Sequence, residues 1–134
     1  MILCEFLCKN CRRPIVLPQH KLLQAFVHPD IQPTGIPRVA LVCNHCRIVE
    51  NYSEADLNGS AEGDTAPSWE VVEELPCVEG TCQFRLPLFA KWSDATIAQA
   101  RFDEIQIWRW RSLTCEAGHE VRKPEQLIGY HLQP

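Results

Sequence analysis

The stretch "ALVCNHCRIVE" (residues 40–50) sets two cysteines two residues apart between two short apolar runs. Runs rich in β-branched residues on either side of so tight a turn predict a β-hairpin, with strands in "RVALV" (38–42) and "RIVENY" (47–52). A second pair, "CKNC" (8–11), is fed by "MILCEFL" (1–7) and left by "PIVLP" (14–18), and Cys11 precedes Cys43 by 32 positions. Cys8, Cys11, Cys43 and Cys46 thus offer four thiolates, the number that a tetrahedral structural zinc ion takes. Disulfides within or between the pairs are the competing reading. The opening "MILCEFLCKNC" meets a cysteine cluster too soon to act as a signal-peptide apolar region, which places the chain in the reducing cytoplasm and favours metal.

The same pattern recurs further along. "CVEGTCQFRLPLF" (77–89) lies over "CKNCRRPIVLP" (8–18): a cysteine pair, a basic residue, then an apolar run broken by proline. "SLTCEAGHEVRK" (112–123) lies over "ALVCNHCRIVE", and Cys82 precedes Cys115 by 33 positions. The second half therefore predicts a second four-ligand set, Cys77, Cys82 and Cys115 with His119 in the fourth place, and two zinc ions per chain. Its spacings are looser, with four residues between Cys77 and Cys82 and three between Cys115 and His119, so a pair of buried cysteines beside a surface histidine stands as the alternative.

These paired knuckles resemble the zinc-ribbon group, whose rubredoxin-like knuckles face each other across a metal with an antiparallel sheet behind. The resemblance implies a small metal-stabilised all-β fold built of two tandem zinc-ribbon units. It places a first ribbon over residues 1–57, an acidic flexible linker over 58–68 and a second ribbon over 69–134. Units of this size bury too little apolar surface to be stable alone. Zinc bound to thiolates contributes folding free energy directly, on the order of 10 kcal/mol in small zinc domains.

Other residues read more plainly. Strands are expected in "SWEVVEEL" (68–75), "FRLPLFA" (84–90) and "EIQIWRWRSLT" (104–114), a short helix in "SDATIAQARFDE" (93–104) and a loop in "HPDIQPTGIP" (28–37). Cys4 alternates with Ile2 and Phe6 as a buried strand residue. His45 is a solvated knuckle-tip residue, and His20, His28 and His131 have no partner at ligand spacing.

Charge separates along the chain. Residues 1–50 carry six basic and three acidic side chains, and residues 51–81 carry eight acidic and no basic ones, within a net charge of −4. That balance disfavours a general affinity for nucleic acid, although Lys9, Arg12, Arg13 and Arg47 form a local basic group beside the first knuckle. The low apolar content of "SEADLNGSAEGDTAPS" (53–68) is what predicts the linker.

"EIQIWRWRSL" is the feature that the repeat does not explain. Arg38, Ala40 and Val42 stand where Trp110, Ser112 and Thr114 stand in the second unit, so the second unit has acquired bulk. The apolar character changes strand face midway, which a β-bulge near Ile107 would produce. Trp108 and Trp110 with Arg109 and Arg111 form a candidate partner surface, since Trp and Arg are enriched at binding hot spots; core filling is the competing reading.

Motifs of zinc hydrolases, deaminases, phosphate-binding loops and nucleophile elbows are absent, and both metal sites are filled by protein ligands. The expected function is a structural-zinc binding module with a protein partner. A nucleic-acid-binding ribbon or a thiol/zinc redox switch is the alternative.

Overall fold

The computed structural model of the chain describes residues 1–25, 35–63, 69–78, 82, 84–91 and 108–122. The strands are β1 (Ile2–Leu7), β2 (Pro14–Pro18), β3 (Val39–Val42), β4 (Ile48–Tyr52), β5 (Leu57–Glu62), β6 (Trp69–Pro76), β7 (Arg85–Lys91) and β8 (Arg109–Trp110). Among the described residues one short α-helix, α1 (Gln19–Leu23), follows Pro18 and a 3₁₀ turn spans Glu54–Asp56, so the fold is essentially all-β. The helix expected over 93–104, the bulge near Ile107, His28 and His131 lie outside the described residues, as does most of the 28–37 loop.

Three antiparallel pairs follow the sequence expectation. β1 runs back along β2 from Leu3↔Pro18 to Leu7↔Pro14, β3 along β4 from Val39↔Tyr52 to Val42↔Val49, and β6 along β7 from Trp69↔Lys91 to Pro76↔Arg85. Their arrangement does not follow it. The strands form a three-stranded sheet, β2-β1-β5, and a five-stranded sheet, β6-β7-β3-β4-β8. Two parallel pairings join the halves of the chain, β3 with β7 (Ala40↔Leu88, Leu41↔Phe89) and β4 with β8 (Ile48↔Arg109, Val49↔Trp110). The two expected units therefore share one sheet, with strands of the second half on both sides of the β3–β4 hairpin.

That central position explains the continuous apolar run of β3, all four of whose residues are buried. Val39 and Leu41 enter a first core with Cys4, Phe6, Ile15, Leu17, Leu22, Tyr52 and Phe89, whereas Ala40 and Val42 enter a second with Leu75, Leu86, Leu88, Trp108, Leu113 and Val121. Cys4 is the buried strand residue expected of it, beside Phe6, although Ile2 at the strand's start is exposed.

A register shift between Val71 and Glu73 moves β6 from one core to the other. Side chains alternate across a strand, so one extra residue reverses the facing of everything beyond it. Trp69 and Val71 accordingly pack on the first core, while Leu75 and Cys77 pack on the second.

The linker expected over 58–68 is corrected in its first half. Leu57–Glu62 forms β5, paired with β1 from Ile2↔Glu62 to Phe6↔Leu57. Its side chains are largely exposed, so apolar content was not required: the backbone groups are satisfied by the β1 ladder at a sheet edge and the polar side chains stay in water. Asn58 Nδ2 donates to Glu5 Oε2 at 2.6 Å across the pair, and Gly63 N donates to Met1 O at 2.8 Å. Residues 64–68 lie outside the described residues. Among the described residues no helix is long and apolar enough to cross a membrane.

Candidate metal centres

The first centre is made by two knuckles of nearly identical geometry. Between β1 and β2, Cys8 N donates to Arg13 O at 2.9 Å and Arg12 N to Cys8 O at 3.0 Å. Between β3 and β4, Cys43 N donates to Ile48 O at 3.2 Å and Arg47 N to Cys43 O at 2.9 Å. In each turn the chain is reversed by a residue in the left-handed region, Arg12 at φ 67° and Arg47 at φ 64°. Glycine adopts that conformation without strain; a residue with a Cβ does so at about 1 kcal/mol or more.

The turns aim backbone N–H groups at the leading sulfur. Asn10 N and Cys11 N each lie 3.4 Å from Cys8 Sγ, and His45 N lies 3.4 Å from Cys43 Sγ. Across the centre Cys8 Sγ is 3.5 Å from Cys46 Sγ, and Cys11 Sγ is 3.6 Å from Cys43 Sγ. Four sulfurs at about 2.3 Å from a tetrahedral ion would stand about 3.8 Å apart, whereas a disulfide brings them to about 2.05 Å. All eight cysteines are free thiols, so the disulfide reading does not hold.

The thiols divide the proton between them. Burial raises Cys8, but the N–H groups of Cys11 and Asn10 and the neighbouring thiols outweigh it and bring the group down to about 6. Cys43 goes the other way, pushed up to about 12 by burial and by hydrogen bonds to Cys11 and Cys8 in which it keeps the proton. Tyr52 supports this centre from β4. Its hydroxyl accepts from Lys9 N at 3.0 Å, its ring meets Phe6 edge-on at 5.7 Å, and burial holds its phenol protonated well above the usual range.

The second centre brings together the four residues expected from spacing. The ligand atoms of Cys77, Cys82, Cys115 and His119 all lie within 4.8 Å of one another, as do those of Cys8, Cys11, Cys43 and Cys46. Cys77 Sγ is 3.1 Å from Cys115 Sγ, and Cys82 Sγ is 3.9 Å from it. Here the two ligands stand one residue further apart, yet the turn closes one residue sooner. Cys115 N donates to His119 O and Gly118 N to Cys115 O, both at 2.9 Å, with Gly118 at φ 85° taking the left-handed position. Its Cys115 sulfur receives N–H groups from Ala117 and His119, and these with the Cys77 and Cys82 thiols lower it despite burial. Cys77 is raised to about 12, first by burial and then by the neighbouring Cys115 and Cys82.

Residues from the first half of the chain hold this second knuckle. Asn51 of β4 accepts from Thr114 N at 2.8 Å through Oδ1 and donates to Thr114 O at 3.1 Å through Nδ2, reproducing a strand pairing with a side chain. Arg38 Nη1 donates to Thr114 Oγ1 at 2.9 Å and to Cys115 O at 2.8 Å, and Arg38 N donates to Glu116 Oε1. The far side is tied to β6, where Val78 N donates to Glu120 O at 2.9 Å and Arg122 N to Pro76 O at 2.8 Å. Arg38, Asn51 and Tyr52 carry no sequence signal for these roles, because each acts on a knuckle distant in sequence.

The four residues expected to form a partner surface, Trp108, Arg109, Trp110 and Arg111, divide between core and solvent. Trp108 is 6% exposed and lies in the second core, and Trp110 is half-buried against it with the ring centroids 6.0 Å apart. β8 flanks β4 at the sheet edge, so its even-numbered residues turn into the core made with Leu75 and Leu113. Arg109 and Arg111, on the opposite face, remain exposed.

Each centre can hold one metal ion, and soft donors in tetrahedral array suit zinc or a similar borderline ion. Facing knuckles of this kind are consistent with zinc-ribbon-like units. Comparison with protein-family models, with curated proteins and with solved structures gives no match.

Proposed function

We propose that the chain is a structural-zinc binding module, with one zinc ion in each centre and no catalytic role. The observation that carries this reading is the completeness of both donor sets, four thiolates in one and three thiolates with an imidazole in the other. A tetrahedral ion held by four protein side chains has no coordination position left for water or substrate. The ion would then fix the ends of β1, β2, β3 and β4 in one centre and the end of β6 with the 115–119 turn in the other. Thiols kept for metal fit a reducing compartment such as the cytoplasm. With Trp108 in the core, a macromolecular partner is met by exposed polar and charged side chains rather than by indoles.

Native mass spectrometry tests the reading. Two zinc ions per chain are expected, with loss of the folded state on chelation. A chain that stays folded after both sites are stripped would overturn it.

A further inference from the structure

Three segments far apart in sequence bring their basic side chains to the rim of the first centre. The first knuckle contributes Lys9, Arg12 and Arg13, the second contributes Arg47, and β8 with the residue that follows it contributes Arg109 and Arg111. β8 is anchored there by main-chain bonds, Arg109 N to Arg47 O at 2.7 Å and Arg111 N to Val49 O at 3.1 Å. Side chains bridge the same gaps: Arg111 Nη2 reaches Asn10 Oδ1 at 3.5 Å, and Arg13 Nη1 lies 3.2 Å from His45 Nδ1. All six cationic side chains except the half-buried Arg47 are exposed. Among the described residues two carboxylates stand near, Asp56 at 3.3 Å from Lys9 Nζ and Glu50, which follows the Val49↔Trp110 pair on β4. Even with the two negative charges that zinc leaves on four thiolates, the cations are in excess.

From this face we infer a docking site for the phosphate backbone of a nucleic-acid duplex. The inference rests on the zinc-module reading, because the knuckles that carry four of the cations are those that zinc would hold. Five of the six are arginines, whose planar forks bind phosphate oxygens in pairs. Protein interfaces are anchored by apolar side chains at their centre, and among the described residues this face has none fully exposed. The large apolar side chains exposed among the described residues are Met1, Ile2, Leu23 and Val78, all outside these three segments. Single strands are held by bases stacked on aromatic rings; in these segments the indole of Trp110 packs on the second core, and the imidazole of His45 is engaged by Arg13. What remains is a backbone reader without base contacts, whose attraction is local in a chain of net charge −4.

The test is fluorescence anisotropy with a labelled 20-base-pair DNA duplex and the zinc-loaded full chain, over a series of salt concentrations. Neutralising about five phosphates gives a log–log salt slope of about −4.5, which weakens binding about 500-fold between 50 and 200 mM salt. Arg109→Ala with Arg111→Ala makes the slope shallower by about 2, and Arg12→Ala with Arg13→Ala does the same. Arg85→Ala with Arg122→Ala, exposed but outside the face, leaves it unchanged. An unaltered slope in the first two variants overturns the inference. So does tighter binding of the single strand than of the duplex, or equal competition by polyglutamate, which would point to an acidic protein. Zinc content measured on the same samples separates the two readings. A folded chain without zinc defeats the module, whereas a chain with two zinc ions and no affinity at 50 mM salt defeats only the docking site.

Discussion

Asn51→Ala should loosen the second metal centre while sparing the first. The Asn51 amide makes two hydrogen bonds to the main chain of Thr114, at 2.8 and 3.1 Å, immediately before the ligand Cys115. Both bonds are partly shielded from water, and the substitution leaves a backbone N–H and a backbone C=O without this partner. At about 1 kcal/mol or somewhat more for each, the loss comes to about 2–3 kcal/mol. Because the bonds hold the knuckle in its ligand-presenting shape, that loss appears as weaker metal binding at this centre, by about 30- to 150-fold. The assay is a zinc titration against a chromophoric chelator, which resolves the two sites as two steps. Asn51→Asp provides the control for side-chain volume. It keeps an acceptor for Thr114 N but sets a carboxylate oxygen against Thr114 O, so it should weaken the same step. If either variant lowers both steps equally, or leaves the second within threefold of the parent chain, the coupling of β4 to the second knuckle is wrong.

Two further outcomes follow from burial and from the thiols. Trp108→Ala, which empties part of the second core, should lower stability by about 3–5 kcal/mol in chemical denaturation; a loss under 1 kcal/mol would place the indole at the surface. Zinc affinity should rise with pH between 6 and 8, because Cys43 and Cys77, both pushed up to about 12, still hold protons throughout that window and must release them to bind metal. Each proton so released makes the dissociation constant fall about tenfold per pH unit, and a flat profile would contradict the raised thiols.

Much of both centres was legible in the sequence because a knuckle is a local object. Two residues between cysteines set the turn from Cys8 to Cys11 and from Cys43 to Cys46, and the β-branched runs in "RVALV" and "RIVENY" set the hairpin that carries the latter. The looser second set, Cys77, Cys82, Cys115 and His119, was found only by laying one half of the chain over the other. The tighter turn at Cys115 places Gly118 in the left-handed position that Arg12 and Arg47 take in the other two. β5 was missed because an edge strand can form from main-chain pairing alone, without the apolar alternation by which strands are recognised.

By itself, then, the sequence determined the ligand sets, the hairpins that present them and the all-β character, since each depends on residues a few positions apart. Tertiary structure alone decided that β7 and β8 add in parallel on either side of the β3–β4 hairpin. It also decided that the Trp108 indole enters a core and that Arg109 and Arg111 stand beside Arg47 and Asn10. Backbone donors and acceptors are the same in every strand, so the choice of a distant partner leaves no mark in local spacing. It is settled by which apolar faces can be buried together, and only that choice determines whether an alternating Trp–Arg strand shows its indoles or its guanidinium groups to water.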